Sequence, residues 1–159
     1  MTSKTLCAVI RAAVIAAAIC GLLACAYILP TFGASLVKTN PEYAGGYVPW
    51  LVFLWAAAAP CFAILALVWK VSSAVRQERV FTIQTARWIK TAAMTLIGDA
   101  GAFFAGNVAF LLFGMSNAAI LLLAVLVDVF AVSLAVLAAV LSRYVTKAAL
   151  LQEEADSTI

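Results

Sequence analysis

Long apolar runs without a charge constrain this 159-residue chain more than any other feature. Three such runs are present, at 12–37, 43–69 and 91–142, and the third is interrupted only by Asp99 and Asp128. A helix needs about 20 apolar residues to cross the ~30 Å hydrocarbon core of a bilayer, so the third run is long enough for two crossings. Because 67% of the residues are hydrophobic and only 11% are charged, the composition excludes an ordinary soluble domain.

The third run is expected to break at 114–117, where Gly and Asn tolerate the left-handed backbone of a tight turn. The sequence therefore predicts an all-α membrane protein with a single domain over 1–159. Four transmembrane helices in a compact bundle are predicted at 6–29, 49–74, 83–113 and 117–150, followed by a cytoplasmic tail at 151–159. Small residues at four-residue spacing form two neighbouring ridges on the third helix: Gly98, Ala102 and Gly106, and Gly101, Ala105 and Ala109. These ridges are expected to bring the helices together in the bundle, and a homo-oligomer is left open.

The distribution of Lys and Arg predicts the orientation. Lys38 is expected on one side of the membrane and the other nine basic residues on the opposite side: Lys4, Arg11, Lys70, Arg76, Arg79, Arg87, Lys90, Arg143 and Lys147. Positive charge marks the cytoplasmic side. We therefore expect a multi-pass protein of a bacterial inner membrane, with both termini and the middle loop between the second and third helices in the cytoplasm.

One alternative concerns the first helix. The sequence from Leu22 to Cys25, behind a basic start and an apolar run, resembles a bacterial lipobox. Cleavage there would leave a lipid-anchored Cys25 and three spans, which would put the basic middle loop and the tail on opposite sides. The apolar run continues past Cys25, so the sequence favours an uncleaved helix.

Four polar residues are expected at membrane depth: Arg11, Asp99, Asn107 and Asp128. Ionisable groups at membrane depth are costly, and they are functional candidates for that reason. One interpretation makes the two aspartates a proton or cation relay, with Arg11 reaching inward towards Asp99. The other makes them neutral carboxyls that bond a neighbouring helix. Apolar neighbours around Asp128 favour the second interpretation.

Two segments predicted on the cytoplasmic side carry recognisable motifs. Val80 and Phe81 form an apolar step before Thr82, which is a suitable N-cap for the third helix. The tail turns acidic and ends in a short motif: Glu153, Glu154, Asp156, Thr158 and Ile159. A basic loop and an acidic tail on the same side predict pairing with each other or with a soluble partner.

These two segments, together with the length and the four spans, resemble the bacterial membrane family of domain of unknown function 2975. Its members have a Val-Phe-Thr-like step before the third helix and a C-terminus close to Glu-Glu-x-Asp-Leu-Thr-Ile. Members are often encoded beside a small helix-turn-helix DNA-binding protein. The resemblance therefore implies a membrane partner of such a regulator.

The residue types present argue against an enzyme. The chain has no His and its four Cys are scattered, which excludes a three-His zinc site and a Ser-His-Asp triad. We expect no cofactor, no metal and no direct binding of nucleic acid.

The leading hypothesis is a non-enzymatic protein that binds a cytoplasmic partner through Val80, Phe81, Thr82, Glu153, Glu154, Asp156, Thr158 and Ile159. The alternatives are a small transporter or channel that uses Asp99 and Asp128, and an assembly subunit of a membrane complex.

Overall fold

A computed structural model describes the backbone of residues 3–77 and 80–157 and the side chains of residues 4–77 and 80–155. All elements in these ranges are helical: α1 (Ser3–Leu23), a π-helical turn (Ala24–Ile28), α2 (Leu29–Thr39), a 3-10 segment (Pro41–Gly46), α3 (Tyr47–Arg76), α4 (Ile83–Leu112) and α5 (Ala118–Ser157). Four stretches are long and apolar enough to cross a membrane: Lys4–Thr39, Pro41–Arg76, Ile83–Leu112 and Ala118–Ala155. The predicted helical class and the four spans are confirmed.

The first span continues to Thr39, so the predicted end at residue 29 was wrong. Pro30 lacks the N–H that would continue the helix. In the π-helical turn before it, each N–H bonds to the carbonyl five residues earlier in the chain. The carbonyl that Pro30 leaves without a backbone partner is therefore that of Cys25. The indole Nε1 of Trp55 in α3 donates to that carbonyl at 3.0 Å. A neighbouring helix thus supplies the bond that Pro30 cannot make, and the backbone stays satisfied inside the membrane.

The two other predicted breaks are confirmed. Thr82 caps α4, because its Oγ1 accepts a hydrogen bond from the backbone N–H of Thr85 at 3.2 Å. Gly114 has a φ of +68°, the left-handed backbone that closes the turn after α4. Asn117 caps α5 by accepting from the N–H of Ile120 at 3.0 Å. At its other end α5 continues to Ser157, so most of the predicted tail is helical.

The helices contact one another in chain order: α1 packs against α3, α3 against α4, and α4 against α5. The α4–α5 contact is the most extensive of the three. Since consecutive spans run in opposite directions, the loop between α3 and α4 lies at the same end of the molecule as the C-terminal end of α5. The other end carries the 3-10 segment and the turn between α4 and α5.

Small residues at heptad spacing form the α4–α5 seam. The buried residues of α4 on this seam are seven apart: Ala86, Ala93, Ala100 and Asn107. On α5 the buried residues Asp128, Ala135, Ser142 and Ala149 are also seven apart, while Ala124 lies four residues before Asp128 and Val145 three after Ser142. A seven-residue repeat keeps one face of each helix against its partner, and small side chains allow close approach. Ser142 Oγ donates to the carbonyl of Ala86 at 2.8 Å and fixes the register.

The predicted ridges at four-residue spacing are only partly used. A Cβ added at Gly98 or Gly101 would meet nothing within 4 Å, so these two residues face open space and the prediction was wrong there. The helix contact follows the seven-residue period instead. At Gly106 the absence of a side chain does matter, because a Cβ there would overlap the ring of Phe53 in α3.

Candidate functional site

The two intramembrane aspartates lie at one level of the α4–α5 pair. The bond between Ser142 and Ala86 sets an antiparallel register. Ala100 is fourteen residues after Ala86, and Asp128 is fourteen residues before Ser142. In this register Asp128 therefore lies opposite Ala100, the neighbour of Asp99. At a rise of ~1.5 Å per residue, this level is about 21 Å from the bond. Two carboxyls from different helices therefore share one depth in the membrane.

Asp99 has a partner on α3. The thiol of Cys61 donates to Asp99, with 3.6 Å between Sγ and Oδ2. Asp99 also lines an open-sided groove of about 410 Å³ between α3 and α4, whose walls include Phe53 and Pro60. The carboxyl is therefore both bonded to the neighbouring helix and accessible from one side.

Asp128 is in a different position. It lies within the α4–α5 seam with 9% of its surface exposed. Its Oδ2 atom is buried and has no hydrogen-bond partner among the described residues. An unpaired polar atom in a low-dielectric interior carries a desolvation cost, so nothing in the packing explains why this residue is an acid.

Arg11 does not approach Asp99, and this part of the sequence interpretation was wrong. Its Nη2 donates to Ser73 Oγ at 3.1 Å, and its guanidinium lies 4.9 Å from the ring centroid of Trp69. Ser73 is twelve residues from Cys61, the contact of Asp99, which is about 18 Å along α3. Because α1 runs antiparallel to α3, Arg11 lies at the end of the molecule that carries the loop between α3 and α4. This end is called the basic end, because Lys70, Arg76 and Arg143 also belong to it.

Asn107 is also separate from the carboxyls. Its Nδ2 donates to the carbonyl of Phe103 on its own helix at 2.9 Å. It lies on the α4–α5 seam, eight residues from Asp99, which is about 12 Å along α4. The structure thus unites Asp99, Asp128 and a thiol that the sequence did not single out, and it leaves Asn107 and Arg11 apart.

The predicted partner-binding residues that the structure describes lie at the basic end. Val80 is half-buried and Phe81 is 54% exposed, whereas the hydroxyl of Thr82 is engaged as the cap of α4. Glu153 and Glu154 are exposed near the end of α5. The remaining predicted residues, the side chain of Asp156 and both Thr158 and Ile159, lie outside the described residues.

The sequence interpretation missed a recess at the end of the molecule that carries the 3-10 segment. The walls of this recess contain aromatic and amide side chains. Tyr43 and Trp50 line it from one half of the chain, and Ser116 and Asn117 line it from the other. The signal in the sequence was a group of aromatic residues beside two loops. Only the tertiary structure brings those loops together.

Four apolar spans, small-residue helix contacts and carboxyls at membrane depth define a multi-pass α-helical membrane protein. The chain belongs to the family described as Protein of unknown function (DUF2975), whose model matches residues 31–159. The resemblance seen in the sequence is thereby confirmed, and the match includes both aspartates and the two motifs that the sequence predicts on the cytoplasmic side. No curated protein and no solved structure matches the chain.

Proposed function

We propose that this protein is a non-enzymatic component of a bacterial inner membrane that binds a cytoplasmic partner at its basic end. The middle loop and the C-terminal end of α5 form the binding surface. The partner we propose is a helix-turn-helix transcriptional regulator, because members of this family are often encoded beside one.

The projecting end of α5 is the observation that carries this proposal. In the register set by Ser142 and Ala86, the first residue of α4 lies level with Val145. Ala149 is still buried, and beyond it residues 150–157 continue the helix for about 12 Å, with residues 150–155 exposed. This projection presents an apolar residue, Leu151, which is 66% exposed, beside acidic ones. Helices with mixed apolar and charged faces bind into grooves of soluble partners.

Charge supports the same surface. Basic residues at this end attract anionic lipid headgroups by about 1 kcal/mol each, which holds the loop at the membrane surface. Glu153 and Glu154 lie further out, where a soluble protein has access. A DNA-binding regulator has a basic surface, so an acidic helix end complements it and competes with DNA for it.

The experiment is affinity purification of the tagged full-length protein from native membranes after mild cross-linking, with partners identified by mass spectrometry. We expect the intact chain to capture a small DNA-binding protein. A chain truncated after Leu151 should still insert into the membrane but should no longer capture that protein. The charge reversal Glu153→Lys/Glu154→Lys should also abolish capture. The matched control is Glu42→Lys, an exposed acid at the opposite end.

Two outcomes count against the proposal. Capture that survives both the truncation and the charge reversal would reject the end of α5 as the binding surface. Absence of any soluble partner from the cross-linked material would reject partner binding altogether.

A second candidate, a small transporter or channel, is favoured by the shared level of Asp99 and Asp128 and by the unpartnered Oδ2 of Asp128. Ion flux into proteoliposomes should then disappear in Asp99→Asn and in Asp128→Asn. Glu42→Gln serves as the control, because it removes a carboxylate outside the membrane core. Absent flux, or flux unchanged by both substitutions, rejects this candidate.

A further inference from the structure

A recess lies at the end of the molecule opposite the middle loop. It is bordered by α2, the 3-10 segment, α3, the turn after α4 and the start of α5. Its cavity of about 60 Å³ has room for roughly four water molecules and is open on one side, so a ring enters it by one edge while the rest of the ring lies at the mouth. The polar and aromatic side chains on its walls are Asn40, Tyr43, Tyr47, Trp50, Ser116 and Asn117.

The walls of this recess are held in place by close packing. A Cβ at Gly33 would lie 2.7 Å from the ring of Tyr47, so glycine is needed for that ring to rest on α2. The hydroxyl of Tyr47 donates to the carbonyl of Pro30 at 3.2 Å. On the other side, a Cβ at Gly46 would lie 3.0 Å from the Cβ of Met115, which joins the 3-10 segment to the turn. The recess is therefore a rigid feature of the fold.

Several hydrogen-bonding groups on these walls have no partner within the protein. Ser116 is only 9% exposed, and its hydroxyl makes no hydrogen bond within the described part of the chain. The same holds there for the hydroxyl of Tyr43. Asn117 uses its amide oxygen as the cap of α5, and Asn40 uses its amide nitrogen on the carbonyl of Leu36. The amide N–H groups of Asn117 and the amide oxygen of Asn40 are left for a ligand.

We propose that this recess binds a neutral ring with several hydroxyl groups, the chemistry of a sugar unit. Aromatic faces pack against the C–H face of such a ring, and uncharged hydroxyl and amide groups bond its hydroxyls. No charged side chain lines the recess among the described residues, so an ionic ligand would find no counter-charge. The ring belongs either to a free sugar or to a glycolipid headgroup. This binding is independent of the proposed cytoplasmic partner.

The test uses the full chain in lipid nanodiscs and measures saturation-transfer NMR with glucose. A second arm uses glucosyl diacylglycerol in the nanodisc, which separates the lipid source from the free sugar. The double variant Tyr43→Phe/Ser116→Ala removes two hydroxyls and keeps the walls. We expect its affinity to be about tenfold lower, because two neutral hydrogen bonds are lost. The matched control is Tyr144→Phe/Ser133→Ala, which removes the same groups outside the recess.

The proposal holds if binding is saturable in either arm, weakened by the recess variant and unchanged in the control. It is overturned by equal binding of wild type and recess variant, by equal losses in recess variant and control, or by no saturable binding in both arms. Gluconate provides a further check, because binding as tight as that of glucose would contradict a neutral ligand.

Discussion

Asp128 is the residue whose chemistry fits its surroundings least. The other buried residues of α5 on the seam are small or apolar apart from Ser142, whose hydroxyl is bonded. Asp128 is as buried as they are, and its Oδ2 lacks a partner in the described part of the chain. A group that costs stability is retained when it has a function, so this carboxyl is the first residue to test.

We predict that Asp128→Ala stabilises the fold. Removing a buried, unpartnered carboxyl oxygen should raise the free energy of unfolding by about 1–3 kcal/mol, and Ala already occupies equivalent positions of the seam. Denaturant titration in detergent micelles measures this change. Asp99→Ala is the control, because Asp99 has the thiol of Cys61 as a partner and should gain less. A lower stability of Asp128→Ala would contradict the prediction.

Trp55 has a structural role that its type alone does not reveal. Its indole N–H satisfies the carbonyl of Cys25, which the π-helical turn and Pro30 leave open. We predict that Trp55→Phe lowers the free energy of unfolding by about 1 kcal/mol, because it removes this bond and keeps an aromatic ring. Thermal unfolding in the same detergent checks this. Trp88→Phe, which removes an indole without a hydrogen bond to any described residue, should change less; equal losses would contradict the prediction.

At the scale of elements, two patterns of small residues compete on α4. The four-residue pattern includes Gly98 and Ala105, which the structure leaves exposed. The seven-residue pattern includes Ala93 and Ala100, which it buries against α5. Because α4 and α5 both carry a seven-residue pattern of small residues, their contact is continuous along both helices. This explains why the face of α4 with Ala93 and Ala100 packs against α5.

This difference gives a matched test. Ala100→Leu inserts a large side chain into the α4–α5 seam and should destabilise the fold by about 1–3 kcal/mol. The same substitution at Ala105, which is exposed, should change stability by less than about 0.5 kcal/mol. Both are read as free energies of unfolding in micelles. Comparable effects at the two positions would show that the seam does not hold α4 and α5 together.

Local signals in the sequence were sufficient for the helices and their caps. Apolar run length predicts the four spans, Thr82 predicts the start of α4, and the Gly114 turn predicts the break before α5. The continuation through Pro30 could not be predicted locally, because its hydrogen-bond donor, Trp55, is distant in the chain.

The candidate site was only partly predictable for the same reason. Asp99 and Asp128 stand out as acids in apolar runs, but their common level depends on the register set by Ser142. Cys61 had no signal beyond its residue type. The recess combines residues from Gly33 to Ile120, so no single motif describes it.

At the scale of the whole molecule, the helices are longer than a bilayer requires. The 40 residues of α5 span about 60 Å, against a hydrocarbon core of ~30 Å. A helix of this length tilts or extends into water. Since eight of the nine Lys and Arg residues that the structure describes lie at one end, we expect that end to attract anionic headgroups and the projecting end of α5 to reach beyond them.

The charge asymmetry predicts the orientation of the whole molecule. Gly45 lies in the 3-10 segment, where an added Cβ meets nothing within 4 Å, and Gln152 is exposed near the end of α5. In intact cells, a membrane-impermeant maleimide should label Gly45→Cys from outside and should label Gln152→Cys only after permeabilisation, because basic ends stay in the cytoplasm. The unmodified chain measures background from its four cysteines. The reverse labelling pattern would invert the protein, place the acidic end of α5 outside the cell and remove the basis for a cytoplasmic partner.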